Sequence, residues 1–90
     1  MIRYRYLSSF DRSIRRFPAA DMKHVERAIE QLLAHFSGGP RPIGLGLRKV
    51  SPVYWEVRAT IDRRILFRLD GGLVTFVLAG NHDEIRRAIR

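Results

Sequence analysis

The hydrophobic positions divide the chain into a helical first half and a stranded second half. Ile2, Tyr4 and Tyr6 alternate with Arg3 and Arg5, the two-residue period of a strand over 2–7. Ser8 or Ser9 can then cap a short helix with Asp11 in its first turn. In it, Phe10, Ile14 and Phe17 recur at helical spacing, and Arg12, Arg15 and Arg16 fall off that stripe. Pro18 ends this helix or starts the next. From 20 to 36, Met22, Val25, Ile29, Leu32, Leu33 and Phe36 form one apolar face, and Gly38 is a stop.

After the loop Ser37-Gly38-Gly39-Pro40-Arg41-Pro42 the period changes to two. Residues 45–50 form a candidate strand with Leu45 and Leu47 on one side. Over 54–61, Trp55, Val57, Ala59 and Ile61 share one face, and Tyr54, Glu56, Arg58 and Thr60 the other. Over 64–69, Ile65, Phe67 and Leu69 face the core while Arg64, Leu66 and Arg68 face away. For both strands to keep these faces, the loop near Asp62-Arg63 must hold an odd number of residues or a bulge. Asp70-Gly71-Gly72 is a hairpin turn. Leu73 to Ala79 is apolar on both faces, which predicts a central strand covered on both sides. Gly80 ends it, and 82–90 form a tail or short helix with Ile85 and Ile89 one turn apart.

The expected architecture is therefore α+β. A small twisted antiparallel sheet of four to five strands carries two N-terminal helices on one face. A short C-terminal helix or tail follows, and residues 1–90 make a single domain. Much of the second sheet face is left free to bind.

Charge sharpens this picture. Seventeen basic residues oppose nine acidic ones for a net charge of +8, and 15 of the 17 are arginine. The planar guanidinium fork matches phosphate, so the balance points to nucleic acid or another polyanion. The absence of cysteine excludes disulfides and thiolate metal sites. No apolar stretch is long enough to cross a bilayer, and the start lacks a signal-peptide core, so the chain reads as cytosolic with no membrane partner.

Strand parity places Glu56, Arg58, Arg64 and Arg68 on the face away from the core, and His82 just past the end of the neighbouring strand. This set suits metal-independent RNA cleavage. Glu56 can take the 2′-hydroxyl proton, and Arg64 or Arg58 can stabilise charge on the phosphate. His82 can protonate the leaving oxygen. Arg58 and Arg68, with Arg48, Lys49 and Arg63 from adjoining segments, are RNA-contacting candidates. The same residues also read as a plain surface ion pair and solvated charges. His24 and His35 lie about 16 Å apart along their helix and cannot share a metal. No metal or cofactor motif is present.

Three stretches resemble toxins of the RelE/ParE superfamily. They are Tyr54-Trp55-Glu56-Val57-Arg58, Asp62-Arg63-Arg64-Ile65-Leu66-Phe67, and Val77-Leu78-Ala79-Gly80-Asn81-His82-Asp83-Glu84-Ile85. The two helices and Gly44-Leu45-Gly46-Leu47-Arg48 also fit. The resemblance implies a twisted sheet with two helices, no cofactor, and a toxin of a type II toxin–antitoxin system. RelE-like members cut mRNA in the ribosomal A site, so mRNA and ribosomal RNA there, and a cognate antitoxin, are the implied partners. Within the resemblance, Arg64 stands at the arginine that contacts the scissile phosphate. Glu56 stands at a glutamate or lysine base, Arg58 at a basic position, and His82 at a C-terminal His or Arg. The chain departs at its end, where many active members carry a Tyr and this one carries Ala88-Ile89-Arg90. A ParE-like inhibitor of DNA gyrase, or an inactive RNA-binding relative, are the alternatives.

Overall fold

The computed structural model describes residues 2–90. Eight elements follow in order: β1 (Arg3–Tyr6), α1 (Ser8–Ile14), α2 (Ala19–Phe36), β2 (Arg48–Lys49), β3 (Tyr54–Arg58), β4 (Arg64–Asp70), β5 (Leu73–Gly80) and α3 (His82–Ala88). The strands form one five-stranded sheet in the order β1-β5-β4-β3-β2. The α+β class and the short C-terminal helix are as expected from the sequence. The sheet, however, is mixed: β1 lies parallel to β5, while every other pair is antiparallel. A parallel pair needs a long crossover. Here two helices and three strands supply it.

The parity argument for β3 and β4 holds. Arg58 pairs with Arg64, and the intervening residues 59–63 number five, an odd count. Val57, Ile65, Phe67, Val74 and Phe76 then point to one side, where Phe10, Val25, Ala28, Ile29 and Leu32 of α1 and α2 cover them. Phe67 and Phe76 are fully buried there, and Trp55 stacks on Phe67. Ile61 leaves this pattern and is 86% exposed. β3 stops at Arg58, and the Thr60 hydroxyl accepts hydrogen bonds from the Asp62 and Arg63 amides. That local turn takes Ile61 out of the strand. At the other end of the sheet, only Arg48 and Lys49 of the expected 45–50 strand are paired, although Leu45 and Leu47 are buried.

α1 is anchored by a serine pair rather than by a cap. Leu7 occupies the N-cap position with no side-chain bond. Ser9 instead donates to the Val77 carbonyl, and Ser13, one turn on, accepts from the Ala79 amide at 3.0 Å. β1 pairs with β5 only as far as Phe76, and the β4–β5 register shifts near Leu66 and Phe67. The two serines therefore satisfy backbone groups that β1 no longer reaches.

The second sheet face is less open than the pattern predicts. α3 packs against β4 and β5, and Leu66 and Ile85 are buried there, outside the main core cluster. No helix among the described residues is long and apolar enough to cross a membrane.

Candidate active site

The site begins with strand register. Arg48 is opposite Glu56, and Glu56 is opposite Leu66, so all three share the outer sheet face. Glu56 is only 2% exposed. A carboxylate so deeply placed needs compensating partners. It has two: Arg48 Nε donates at 2.9 Å and Arg64 Nη1 at 2.8 Å. Both bonds fall on Oε1. Oε2 takes part in no side-chain hydrogen bond among the described residues. One carboxylate oxygen is thus fixed and the other is uncommitted.

α3 supplies the opposite wall. Asn81 caps it, with its side chain accepting from the Glu84 amide at 2.9 Å while Glu84 Oε1 accepts from the Asn81 amide at 3.0 Å. This reciprocal capping box fixes where the helix starts. Gly80 makes room for it, because a Cβ there would stand 2.9 Å from Glu84 Oε1 and 3.1 Å from its Cβ. Arg16 from the turn after α1 reaches Glu84 Oε2 at 3.2 Å and ties the helix start to the other layer. His82 and Arg86 then lie one turn apart on a single helix side. They border an open groove of about 350 Å³ whose other walls include Arg48, Lys49, Glu56 and Ile85.

The structure brings Glu56, Arg64, Arg48, Lys49 and His82 to this one region. Leu66, expected to face away from the core, is fully buried, with α3 packed on its strand. Arg58 is exposed, and its guanidinium turns toward Gly46 rather than toward the carboxylate. Arg68 sits on the same face at the far end of β4, opposite Tyr54 and Thr75. Arg63 lies elsewhere. Its Nε binds Asp21 of α2 at 3.1 Å and its guanidinium covers the Phe17 ring at 4.4 Å, both on the helical layer. Arg86 is a groove residue that pattern reading passed over. The signal was its spacing of four from His82 behind an Asn-x-x-Glu cap.

Chemically, the groove offers a fixed carboxylate with a free oxygen, guanidiniums on either side, and an imidazole at the rim. Guanidiniums match phosphate oxygens in planar, charge-assisted pairs. Among the described residues no three His, Asp or Glu side chains cluster as metal ligands.

No protein-family model matches the sequence, and no curated protein matches it. Solved structures do. The DinJ-YafQ toxin-antitoxin complex of E. coli aligns over 94% of this chain and 98% of that one, with a TM-score of 0.77 at 15% identity. The RelB-RelE antitoxin-toxin complex of Methanococcus jannaschii gives a TM-score of 0.72 at 15% identity over the same shares of 94% and 98%. The YoeB-YefM toxin-antitoxin complex of Staphylococcus aureus gives 0.64 at 16% identity, over 91% of this chain and 98% of that one. Over nine-tenths of its length, the chain has the fold of the toxins in these complexes.

Proposed function

We propose that this chain is the toxin of a type II toxin–antitoxin system and a metal-independent endoribonuclease that cleaves mRNA in the ribosomal A site. The observation that carries the reading is Glu56, buried beneath Arg48 and Arg64 with Oε1 held by both and Oε2 free. Oε2 accepts the proton of the ribose 2′-hydroxyl as that oxygen attacks the adjacent phosphorus. Arg64 and Arg48 stand beside the carboxylate where negative charge grows on the phosphate oxygens. His82, at the groove rim, donates a proton to the departing 5′-oxygen. The products are a 2′,3′-cyclic phosphate and a 5′-hydroxyl end. DNA lacks the nucleophile, so the substrate is RNA.

A cognate antitoxin is the natural partner. The solved structures of like fold include complexes of toxin with antitoxin, and a +8 chain presents a basic surface that an acidic protein segment can cover. The gyrase-inhibitor alternative draws no support from these likenesses, and gyrase inhibition needs no carboxylate set between arginines.

The test is induction in cells followed by mapping of mRNA 5′ ends. Codon-registered cuts in translated messages are the expected result. Intact mRNA with relaxed or broken DNA would overturn the reading in favour of gyrase. Glu56→Gln keeps an acceptor for the arginines and removes the proton acceptor. It should slow cleavage at least about 100-fold. Wild-type cleavage by that variant would make Glu56 a positioning residue only.

A further inference from the structure

The outer sheet face has a second concentration of donors, away from the groove. Register sets Arg5, Thr75, Arg68 and Tyr54 in one row across β1, β5, β4 and β3. Parity puts this row on the same face as Glu56 and Arg64. α3 packs near the other end of β5, so the row lies outside its cover. Arg5 leans inward, and its Nε donates to the Thr75 hydroxyl at 3.0 Å. Thr75 is fully buried in this row, in the manner of a floor covered by arginine stems.

Arg68 is the unusual member. Its Nε is inaccessible to solvent and has no hydrogen-bond partner, alone in this among the buried side-chain polar atoms of the described residues. A charged donor left so is costly, and a turn of the side chain that presents Nε to an incoming acceptor recovers that cost. No carboxylate lies within ion-pair distance of Arg5 or Arg68 among the described residues. Asp70, two places further along β4, makes no ion pair among the described residues. The row therefore holds guanidinium donors with charge to spare and one donor desolvated in advance. That combination fits a tetrahedral oxyanion with several strong acceptor oxygens.

We propose that Arg5 and Arg68, bordered by Tyr54 and floored by Thr75, bind a second phosphate of the same RNA strand. This rests on the ribonuclease reading of the groove. Arg64 and Arg68 are four residues apart on one strand, about 13 Å along β4. The scissile phosphate at Arg64 and a phosphate further along the same strand at Arg68 thus fix two points on a single strand. The row gives the strand its direction across the sheet and lends a longer RNA binding energy that a dinucleotide lacks.

The experiment is fluorescence anisotropy with purified protein and two uncleavable single strands, a dinucleotide and an octanucleotide, each 2′-deoxy at the position of attack. Wild type should bind the octanucleotide with the larger salt slope. Arg5→Gln and Arg68→Gln should each weaken the octanucleotide about tenfold. Each should lower its salt slope by about 0.7 and leave the dinucleotide unchanged. Arg68→Lys keeps the charge without the Nε donor and should also weaken the octanucleotide, whereas Arg64→Gln should weaken both ligands. Circular dichroism confirms that each variant is folded. The inference is overturned if the Arg5 and Arg68 variants bind the octanucleotide as wild type does. It is also overturned if they weaken both lengths alike, or if wild type does not distinguish the lengths. Loss of mRNA cleavage in Glu56→Gln alongside unchanged binding in the row variants sinks the second site alone. Length-dependent binding through the row without cellular RNA cleavage sinks the ribonuclease reading alone.

Discussion

The two faces of the sheet are built from the same strands and by opposite rules. One face buries Val57, Ile65, Phe67, Val74 and Phe76 under two helices. The other buries a carboxylate, gathers arginines around it, and is covered by a helix only in part. On the first face each side chain is held by many weak contacts that share the load. On the second each charge is held by one or two named partners. Stability therefore belongs mainly to the helical face and the proposed chemistry to the other, and substitutions separate the two.

The largest effect is expected on the helical face. Phe67→Ala removes a fully buried ring in contact with Phe36, Trp55 and Phe76 and should cost about 3–5 kcal/mol in urea unfolding. Ser13→Ala comes next. It deprives the buried Ala79 amide of its acceptor and should cost about 1–3 kcal/mol by the same measurement. Asn81→Ala removes the cap of α3 and should cost about 1 kcal/mol. Because the cap also fixes where His82 and Arg86 begin their turn, this variant should lose more cleavage than its stability loss explains. Replacing the buried pair together, Glu56→Leu with Arg64→Met, sharpens the contrast most. A buried ion pair replaced on both sides by apolar side chains of similar size often leaves stability nearly unchanged, whereas removing the carboxylate alone strands Arg64, whose side chain is 19% exposed; Arg48, 60% exposed, can return to water. We expect a change within about 1 kcal/mol of wild type and complete loss of growth arrest. A large destabilisation would mean that the outer face carries the fold as well.

The smallest effect lies at the edge of the helical face. Burial, followed by the nearby Tyr4 and Asp11, raises the Tyr6 phenol above its ordinary value of 10.0. The fold thus favours the neutral phenol. Its contribution to stability is complete below the ordinary value and disappears as pH rises through the raised one. The tyrosinate absorbance lost in Tyr6→Phe should therefore have its midpoint above 10.0.

How much of this was legible in the sequence depends on how local the cause is. Strand parity is rigid, so the alternation in 54–58 and 64–69 placed Glu56 and Arg64 on one face and required the odd loop between them. The apolar stripe of α2 was equally plain. The direction of β1 was not, because its partner lies about seventy positions away and alternation does not tell parallel from antiparallel. Arg63 was misplaced by pattern alone. It stands beside Arg64 in sequence, but its long side chain reaches Asp21 and Phe17 on the other layer. The closure of the groove by α3 hung on Asn81 and Glu84, which a hydrophobic period does not register. The unpartnered Nε of Arg68 is a property of packing and has no sequence signature.

Gly80 gives this arrangement a genetic consequence. A larger residue there must push aside the Glu84 carboxylate that accepts from the Asn81 amide, and so loosens the wall that carries His82. Under the proposed toxin activity, cells that survive induction of the protein should carry lesions at position 80 among their escape mutations. Such lesions would disarm the protein without altering a single residue that lines the groove.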